Sequence, residues 1–181
     1  MVEIARRYPL ASAKPRHGLE IMPPCARFSL RMAMDTQVPT LTSLSLVLPV
    51  QACRATRAGQ ADALWLGPAD WLLLATAENG IGVEKALHDD LKGLDYALVD
   101  VSHRQVGLRI SGPQAAIWLN AVCPLDLSLT AFPVGMCTRT VFAKAQIVLW
   151  RLGEDQFHME VWRSFVPYVW DMLDVIMAEA A

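Results

Sequence analysis

An α+β fold, made of two similar strand-rich halves with largely antiparallel sheets and packed helices, is what this 181-residue chain predicts. Three observations lead to it. Short apolar runs bounded by Gly, Pro and Asp recur along the body and have the length of strands rather than helices. A loose internal repeat relates segments about 80 residues apart. Longer apolar stretches with helical spacing are few, and each follows or separates strand candidates instead of alternating with single strands.

The chain opens with an extended arm over residues 1–24, rich in Pro, Arg and small residues and poor in large apolar ones. Such a segment either stays mobile or orders against a partner, and interface use is the expectation here. A single compact domain is expected over 25–181, with its duplicated halves spanning about 25–101 and 102–181. In the first half, strands are predicted over 27–32, 44–50, 63–67, 71–76 and 96–101, where apolar and β-branched residues dominate. Gly67-Pro68-Ala69-Asp70 carries turn chemistry between two of these runs and predicts a hairpin. A helix is predicted over 82–91.

Asp100-Val101-Ser102-His103-Arg104-Gln105 is a polar turn joining the two halves, in which Asp100 and Ser102 are placed to bond nearby backbone N–H groups. A strand over 105–110 follows, then a helix over 113–122 with Pro113 in its first turn, where a missing N–H costs nothing. Strands over 138–143, 146–150 and 156–161 come next, the last two joined through Gly153-Glu154-Asp155. Ser164 is predicted as N-cap of a final helix over 165–179.

The repeat is visible in two places. Arg27-Phe28-Ser29-Leu30-Arg31-Met32 echoes Gln105-Val106-Gly107-Leu108-Arg109-Ile110. Leu64-Trp65, a Gly-containing turn and Trp71 echo Leu149-Trp150, another such turn and Phe157.

Composition excludes several function classes. Lys and Arg number 16 against 18 Asp and Glu, a formal charge of −2, so no concentrated positive surface is available for nucleic acid. Hydrophobic residues make up 54% and charged residues 19%, apolar enough to imply that something beyond the chain's own core covers part of its surface. No apolar run reaches the roughly 18 to 20 residues of a membrane-spanning helix. No apolar segment follows the basic N-terminus as a secretory signal would, so a cytoplasmic location is expected. Cys25, Cys53, Cys123 and Cys137 lack metal-finger spacing and read as buried, reduced thiols.

Catalytic constellations are not evident in the pattern. His103 stands beside Ser102, but neighbouring strand residues point to opposite faces and do not meet. His17, His88 and His158 are scattered singly, and neither G-x-G-x-x-G nor G-x-x-x-x-G-K-[ST] is present to hold phosphates. No catalytic, cofactor-binding or metal-ligating residue is therefore assigned.

The final helix points toward partners. Phe165, Val169, Met172, Leu173 and Ile176 form one apolar stripe, while Tyr168, Trp170 and Val175 extend the apolar surface around it. Such a helix is either central to the core or partly covered by a neighbouring subunit. Trp162, Arg163, Phe165, Tyr168 and Trp170 are the candidate partner interface, since aromatic and Arg side chains dominate such contacts. Arg163 has two readings: a clamp for a carboxylate, or a salt bridge within the chain to an Asp such as Asp100 or Asp126.

The order of Gly112-Pro113, Pro124-Leu125-Asp126-Leu127, Phe132-Pro133 with Gly135, Arg139-Thr140, a hairpin and Val161-Trp162-Arg163-Ser164-Phe165 resembles the gamma subunit family of heterotetrameric sarcosine oxidase. Leu64-Trp65-Leu66-Gly67-Pro68 and Asp70-Trp71-Leu72-Leu73-Leu74 fit the same family, so the resemblance covers residues 60–178. It implies a non-catalytic subunit assembled with alpha, beta and delta chains, alpha being the main contact. The complex would oxidise sarcosine to glycine with hydrogen peroxide, releasing formaldehyde or forming methylene-tetrahydrofolate. FAD, FMN and NAD would be held by alpha and beta and zinc by delta, with no cofactor on this chain.

The same layout is similar to the folate-binding domain of aminomethyltransferases, the T-protein of glycine cleavage, whose catalytic Asp stands on an N-x-x-G-G-x-x-D-D hairpin. The corresponding segment here, Phe142-Ala143-Lys144-Ala145-Gln146-Ile147-Val148-Leu149, contains no carboxylate. The K-G-C-x-x-G-Q-E loop of the iron-sulfur-assembly relatives is missing too. Two alternatives stay open: the equivalent subunit of an N-methylglutamate-type dehydrogenase, and a free-standing folate-binding one-carbon protein.

Overall fold

Alternation of large apolar and polar side chains builds two antiparallel sheets whose strands follow the predicted repeat. The computed structural model describes residues 16–33, 38–59, 61–76 and 80–180. In chain order the elements are β1 (Leu19–Ile21), β2 (Cys25–Met32), β3 (Thr40–Leu41), β4 (Leu46–Val47), β5 (Ala55–Ala58), β6 (Ala61–Gly67), β7 (Asp70–Thr76), α1 (Gly80–Asp90) and β8 (Tyr96–Asp100). The second half adds β9 (Gln105–Ser111), α2 (Ala115–Asn120), β10 (Cys137–Phe142), β11 (Ala145–Gly153), β12 (Gln156–Trp162) and α3 (Val166–Glu179). One five-stranded sheet has the order β5-β6-β7-β2-β8, and the other β1-β9-β12-β11-β10. Among the described residues no helix is long and apolar enough to cross a membrane.

The two sheets have the same plan. β2 pairs with β7 so that Leu30 faces Trp71, as β9 pairs with β12 so that Ile110 faces Phe157. The β6–β7 hairpin is bulged between Trp65 and Gly67, and the β11–β12 hairpin between Arg151 and Gly153. These registers place Leu30 opposite Ile110 in the repeat, two residues along from the sequence echo and on the same face. They also align Trp65 with Arg151, one residue from the sequence echo. A one-residue slip reverses the face of every side chain. Accordingly Trp150 shares the inter-sheet layer with Leu64, whereas Arg151 is turned to the other face, 4.7 Å from the Phe157 ring centre.

Both faces of each sheet are covered. Phe157, Met159 and Val161 of β12 pack with Val166, Val169, Trp170 and Leu173 of α3 in the largest core. Phe28 and Leu30 of β2 and Trp71 and Leu73 of β7 pack with Val83 and Leu87 of α1 and with Leu41 and Leu46 of the small β3–β4 pair. A third layer, holding Leu64, Leu72, Leu74, Val148 and Trp150, is shared between the two sheets.

Several expectations are corrected by these elements. The strand predicted over 44–50 is instead the end of a 3₁₀ turn at Thr42–Leu44 followed by the two-residue β4, which pairs with β3 just before the turn. Leu44, Leu46 and Leu48 are buried in alternation, but Ser45 adopts φ 51°, which breaks the ladder, and Pro49 has no N–H to extend it. The final helix is not capped by Ser164. Arg163–Phe165 form a 3₁₀ turn, and Phe165 stands at the cap position without a side-chain cap bond. Arg163 N–H donates to Arg104 C=O at 2.8 Å, which holds this turn against the second half's first strand before the helix begins. Short β5 was not predicted. Within the N-terminal arm, β1 pairs with β9 at the edge of the second sheet, the place β8 takes beside β2 in the first. Residues 1–15 of the arm lie outside the described residues.

Candidate functional site

The layer between the sheets brings together charged side chains from both halves of the repeat. On β2 the side chains facing this layer are Cys25, Arg27, Ser29 and Arg31 in succession, because strand side chains alternate. At its centre the Arg27 guanidinium donates to Glu160 of β12, Nε to Oε2 at 2.6 Å and Nη2 to Oε1 at 3.0 Å. Its Nη1 donates to Cys25 C=O at 3.1 Å. His158, two residues before Glu160 on the same face, places Nε2 at 2.8 Å from Oε1. Burial alone would raise the Glu160 carboxyl, but the His158 hydrogen bond and the Arg27 charge win and hold it below the usual carboxylate range. An ionised Glu160 has only acceptors, so His158 carries its proton on Nε2.

Gly107 makes this cluster possible. It pairs with Glu160 across β9 and β12, and a Cβ there would lie 2.8 Å from the His158 ring and 3.2 Å from Glu160 Oε1.

Cavities open on either side of the pair. The first, of about 400 Å³, is lined by Arg31, Arg104, Gln105, Arg139, Val141 and Trp162. Asp70 of the β6–β7 hairpin accepts from Arg139 at 3.0 Å and lies 3.5 Å from Arg31. Arg104 stands 5.6 Å from the Trp162 ring centre. Gln105 is buried, yet its Oε1 has no hydrogen-bond partner among the described residues. The predicted carboxylate-free hairpin forms one wall, lined by Gln146, Ile147 and Val148 of β11. This wall offers no group able to take a proton from, or lend negative charge to, a reacting centre.

The second cavity, of about 570 Å³, is lined by Cys25, Arg57, Asp62, Arg109, Trp150 and His158 among others. Arg57 pairs with Asp62 at 3.2 Å and lies 5.2 Å from the Trp150 ring centre. Burial lifts the Asp62 carboxyl, more than Arg57 lowers it, and pushes the Cys25 thiol up to about 11. Burial likewise pushes Cys137 up to about 12. Neither thiol is a nucleophile at neutral pH, since the thiolate is the reactive form.

The polar turn before β9 is built as predicted. Asp100 Oδ1 accepts from Ser102 N–H at 2.8 Å and from the Ser102 hydroxyl at 2.5 Å, and Ser102 Oγ accepts from Arg27 N–H at 2.9 Å. Ser102 is thus committed to structure, and His103 is exposed in the turn beside it. Arg139 ties Asp70, while Arg151 donates to Leu127 C=O and Phe132 C=O, both at 2.8 Å.

The predicted partner residues separate into two groups. Trp162 and Phe165 are exposed at 43% and 38%, and Arg163 and Tyr168 are half-buried. Trp170 is only 5% exposed and packs into the α3 core, so as a candidate contact it is corrected to a core residue. Sequence reasoning missed the Arg27–Glu160–His158 cluster. Its signal was the alternation of His158 and Glu160 with Phe157, Met159 and Val161, which looks solvent-facing until a second sheet covers it.

A model of the "Sarcosine oxidase, gamma subunit family" matches residues 33–179. Sarcosine oxidase subunit gamma of Arthrobacter sp is 35% identical over 118 residues, covering 65% of this chain and 57% of that protein. The chain therefore spans little more than half the length of the curated relatives it matches. Among solved structures, a chain of heterotetrameric sarcosine oxidase from Corynebacterium sp. U-96, in complex with pyrrole 2-carboxylate, has a TM-score of 0.84 at 25% identity, covering 96% of this chain and 95% of that one. Glycine cleavage system aminomethyltransferase T from Bartonella henselae has a TM-score of 0.64 at 15% identity, covering 86% and 45% of the two chains. The second likeness is one of fold, as the layout predicted.

Proposed function

Because this chain belongs to the sarcosine oxidase gamma subunit family, we propose that it works as a non-catalytic subunit of a heterotetrameric complex that oxidises sarcosine to glycine and hydrogen peroxide. The observation that carries this reading is the match, over nearly all of both chains, to one chain of a heterotetrameric sarcosine oxidase. The wall formed by Gln146, Ile147 and Val148 supports it, since the segment corresponding to the catalytic hairpin of aminomethyltransferases offers no carboxylate as general base. In this reading alpha is the main contact, with beta and delta in the same assembly. FAD, FMN and NAD belong on alpha and beta, and zinc on delta. Among the described residues no group of three or more His, Cys, Asp and Glu is arranged to hold a metal ion. In the same reading the complex works in the cytoplasm.

The role left to this chain is to present a rigid, doubly covered pair of sheets to its neighbours. Trp162 and Phe165 fit that role, being large apolar side chains left exposed beside an otherwise packed helix. The test is to tag the chain in its native host and analyse what copurifies. The expected result is a yellow assembly with three further chains and sarcosine-dependent peroxide production. A colourless single chain that nothing accompanies would overturn the reading.

A further inference from the structure

The cavity bounded by Arg31, Arg104 and Arg139 is a positive recess on a chain whose net charge is −2. Asp70 is the acidic partner recorded for two of these arginines, and its Oδ2 is shared between Arg31 and Arg139. Arg104 has an aromatic neighbour in Trp162 rather than a carboxylate. The guanidinium groups around the recess thus outnumber the carboxylate that serves them. The side chains of Arg31 and Arg139 remain 66% and 49% exposed, so both retain donors facing solvent.

Two further features narrow the occupant. Gln105 is only 6% exposed, lines the same cavity, and has an Oε1 with no hydrogen-bond donor among the described residues. Trp162 and Val141 sit at the cavity with substantial apolar area in solvent. A free inorganic anion would satisfy the arginines but would leave the Gln105 acceptor and the exposed indole unmatched. A peptide segment supplies all three complements: a carboxylate, a backbone N–H and apolar side-chain surface. Arg beside Trp is also the composition of an interface centre, where a partner would desolvate both.

We propose that a partner subunit inserts a carboxylate-bearing segment into this recess, where Arg104 and Arg139 receive the carboxylate, Gln105 Oε1 accepts a backbone N–H, and Trp162 covers the contact. The proposal rests on the reading of this chain as a subunit. It extends the predicted interface from Trp162 and Phe165 to the recess residues of β2, β9 and β10.

The experiment compares tagged wild-type chain with Arg104→Glu and Arg104→Lys, each purified as the assembled complex from its host. Charge reversal at an exposed side chain that bonds to nothing in the core leaves the fold intact, so partner recovery reports docking. Arg104→Glu is expected to lower partner recovery about tenfold or more at moderate salt, the range of a lost interface anchor. In the Arg104→Lys complex, a zero-length carbodiimide is expected to link position 104 to an Asp, Glu or C-terminal carboxylate of a partner, identified by mass spectrometry. Full partner recovery with Arg104→Glu would overturn the proposal while leaving the subunit reading standing. So would a cross-link that joins position 104 only to this chain, or a small carboxylate released from the recess of the intact complex. Failure of the wild-type chain to recover any partner would remove the subunit reading and the proposal with it.

Discussion

Arg27 of β2 and Glu160 of β12 lie in different halves of the repeat and on different sheets, yet they form a two-point ion pair with side chains 1% and 0% exposed. At these exposures the charges are largely desolvated, a cost offset by the geometry of the pair and by the bonds from His158 and to Cys25 C=O. The pair is consequently a register pin between the sheets. Removing one partner leaves the other charge stranded, whereas removing both does not.

From this follows a strong asymmetry between single and double substitutions. Arg27→Met is expected to destabilise the chain by about 3–5 kcal/mol, the range for an orphaned buried charge. Glu160→Leu should cost a similar amount by stranding Arg27. The double variant should recover much of the loss, because two apolar side chains can fill the layer with no charge left unpaired. Denaturant titration of all four proteins would give the coupling. Additive losses would show that the two charges do not depend on each other.

Stability should fall in acid for the same reason. Glu160 has a folded-state pKa below its unfolded value, so its contribution is complete above the ordinary carboxylate range. That contribution is lost as pH falls through the depressed folded value. Asp62 acts in the opposite sense, because burial raises its folded pKa, and it moderates the acid loss. Melting temperature is therefore expected to drop below about pH 4. The drop should be shallower in a variant carrying both Arg27→Met and Glu160→Leu. An unchanged acid profile in that variant would place the sensitivity elsewhere.

Gly107→Ala tests the close approach that lets the cluster form. The added Cβ would meet the His158 ring at 2.8 Å, Glu160 Oε1 at 3.2 Å and Met22 Cβ at 3.2 Å. The ring cannot swing away without losing its bond to Glu160, so the strain falls on the ion pair or the strand. A cost of about 1–3 kcal/mol is expected, as for overpacking in a filled layer. Thermal denaturation measures it, and a neutral result would mean that the sheets part more easily here than their packing implies.

Much of this architecture is legible in the sequence because apolar alternation decides it. The runs around Phe28, Leu72, Leu108, Leu149 and Phe157 each became a paired strand, and the Gly67 and Gly153 turns became hairpins. Legibility ends where a partner strand, rather than the local pattern, makes the element. Leu19–Ile21 and Ala55–Ala58 are strands through their pairing with β9 and β6, and neither has a strong pattern of its own. The repeat was recognisable but misaligned by one residue at Trp150, since adjacent Leu and Trp residues satisfy either register until the bulge is placed. The recess was hidden for a related reason. Arg31, Arg104 and Arg139 are far apart in the chain, and only sheet-on-sheet packing brings them together.

The tryptophans at either end of the β12–α3 connection should respond in opposite ways. Trp170 is buried among Val166, Val169, Leu173 and the strand side chains of the largest core, so Trp170→Ala leaves a large void. About 3–5 kcal/mol of stability is expected to be lost. Trp162 is 43% exposed, with Arg104 above its ring, and its truncation should cost less than about 1 kcal/mol. What Trp162→Ala should lose instead is partner recovery, because an exposed indole beside unmatched arginines contributes to docking more than to folding. Measuring denaturation and copurification on both variants separates the roles. Large destabilisation by Trp162→Ala with undiminished assembly would assign that residue to the fold and remove it from the interface.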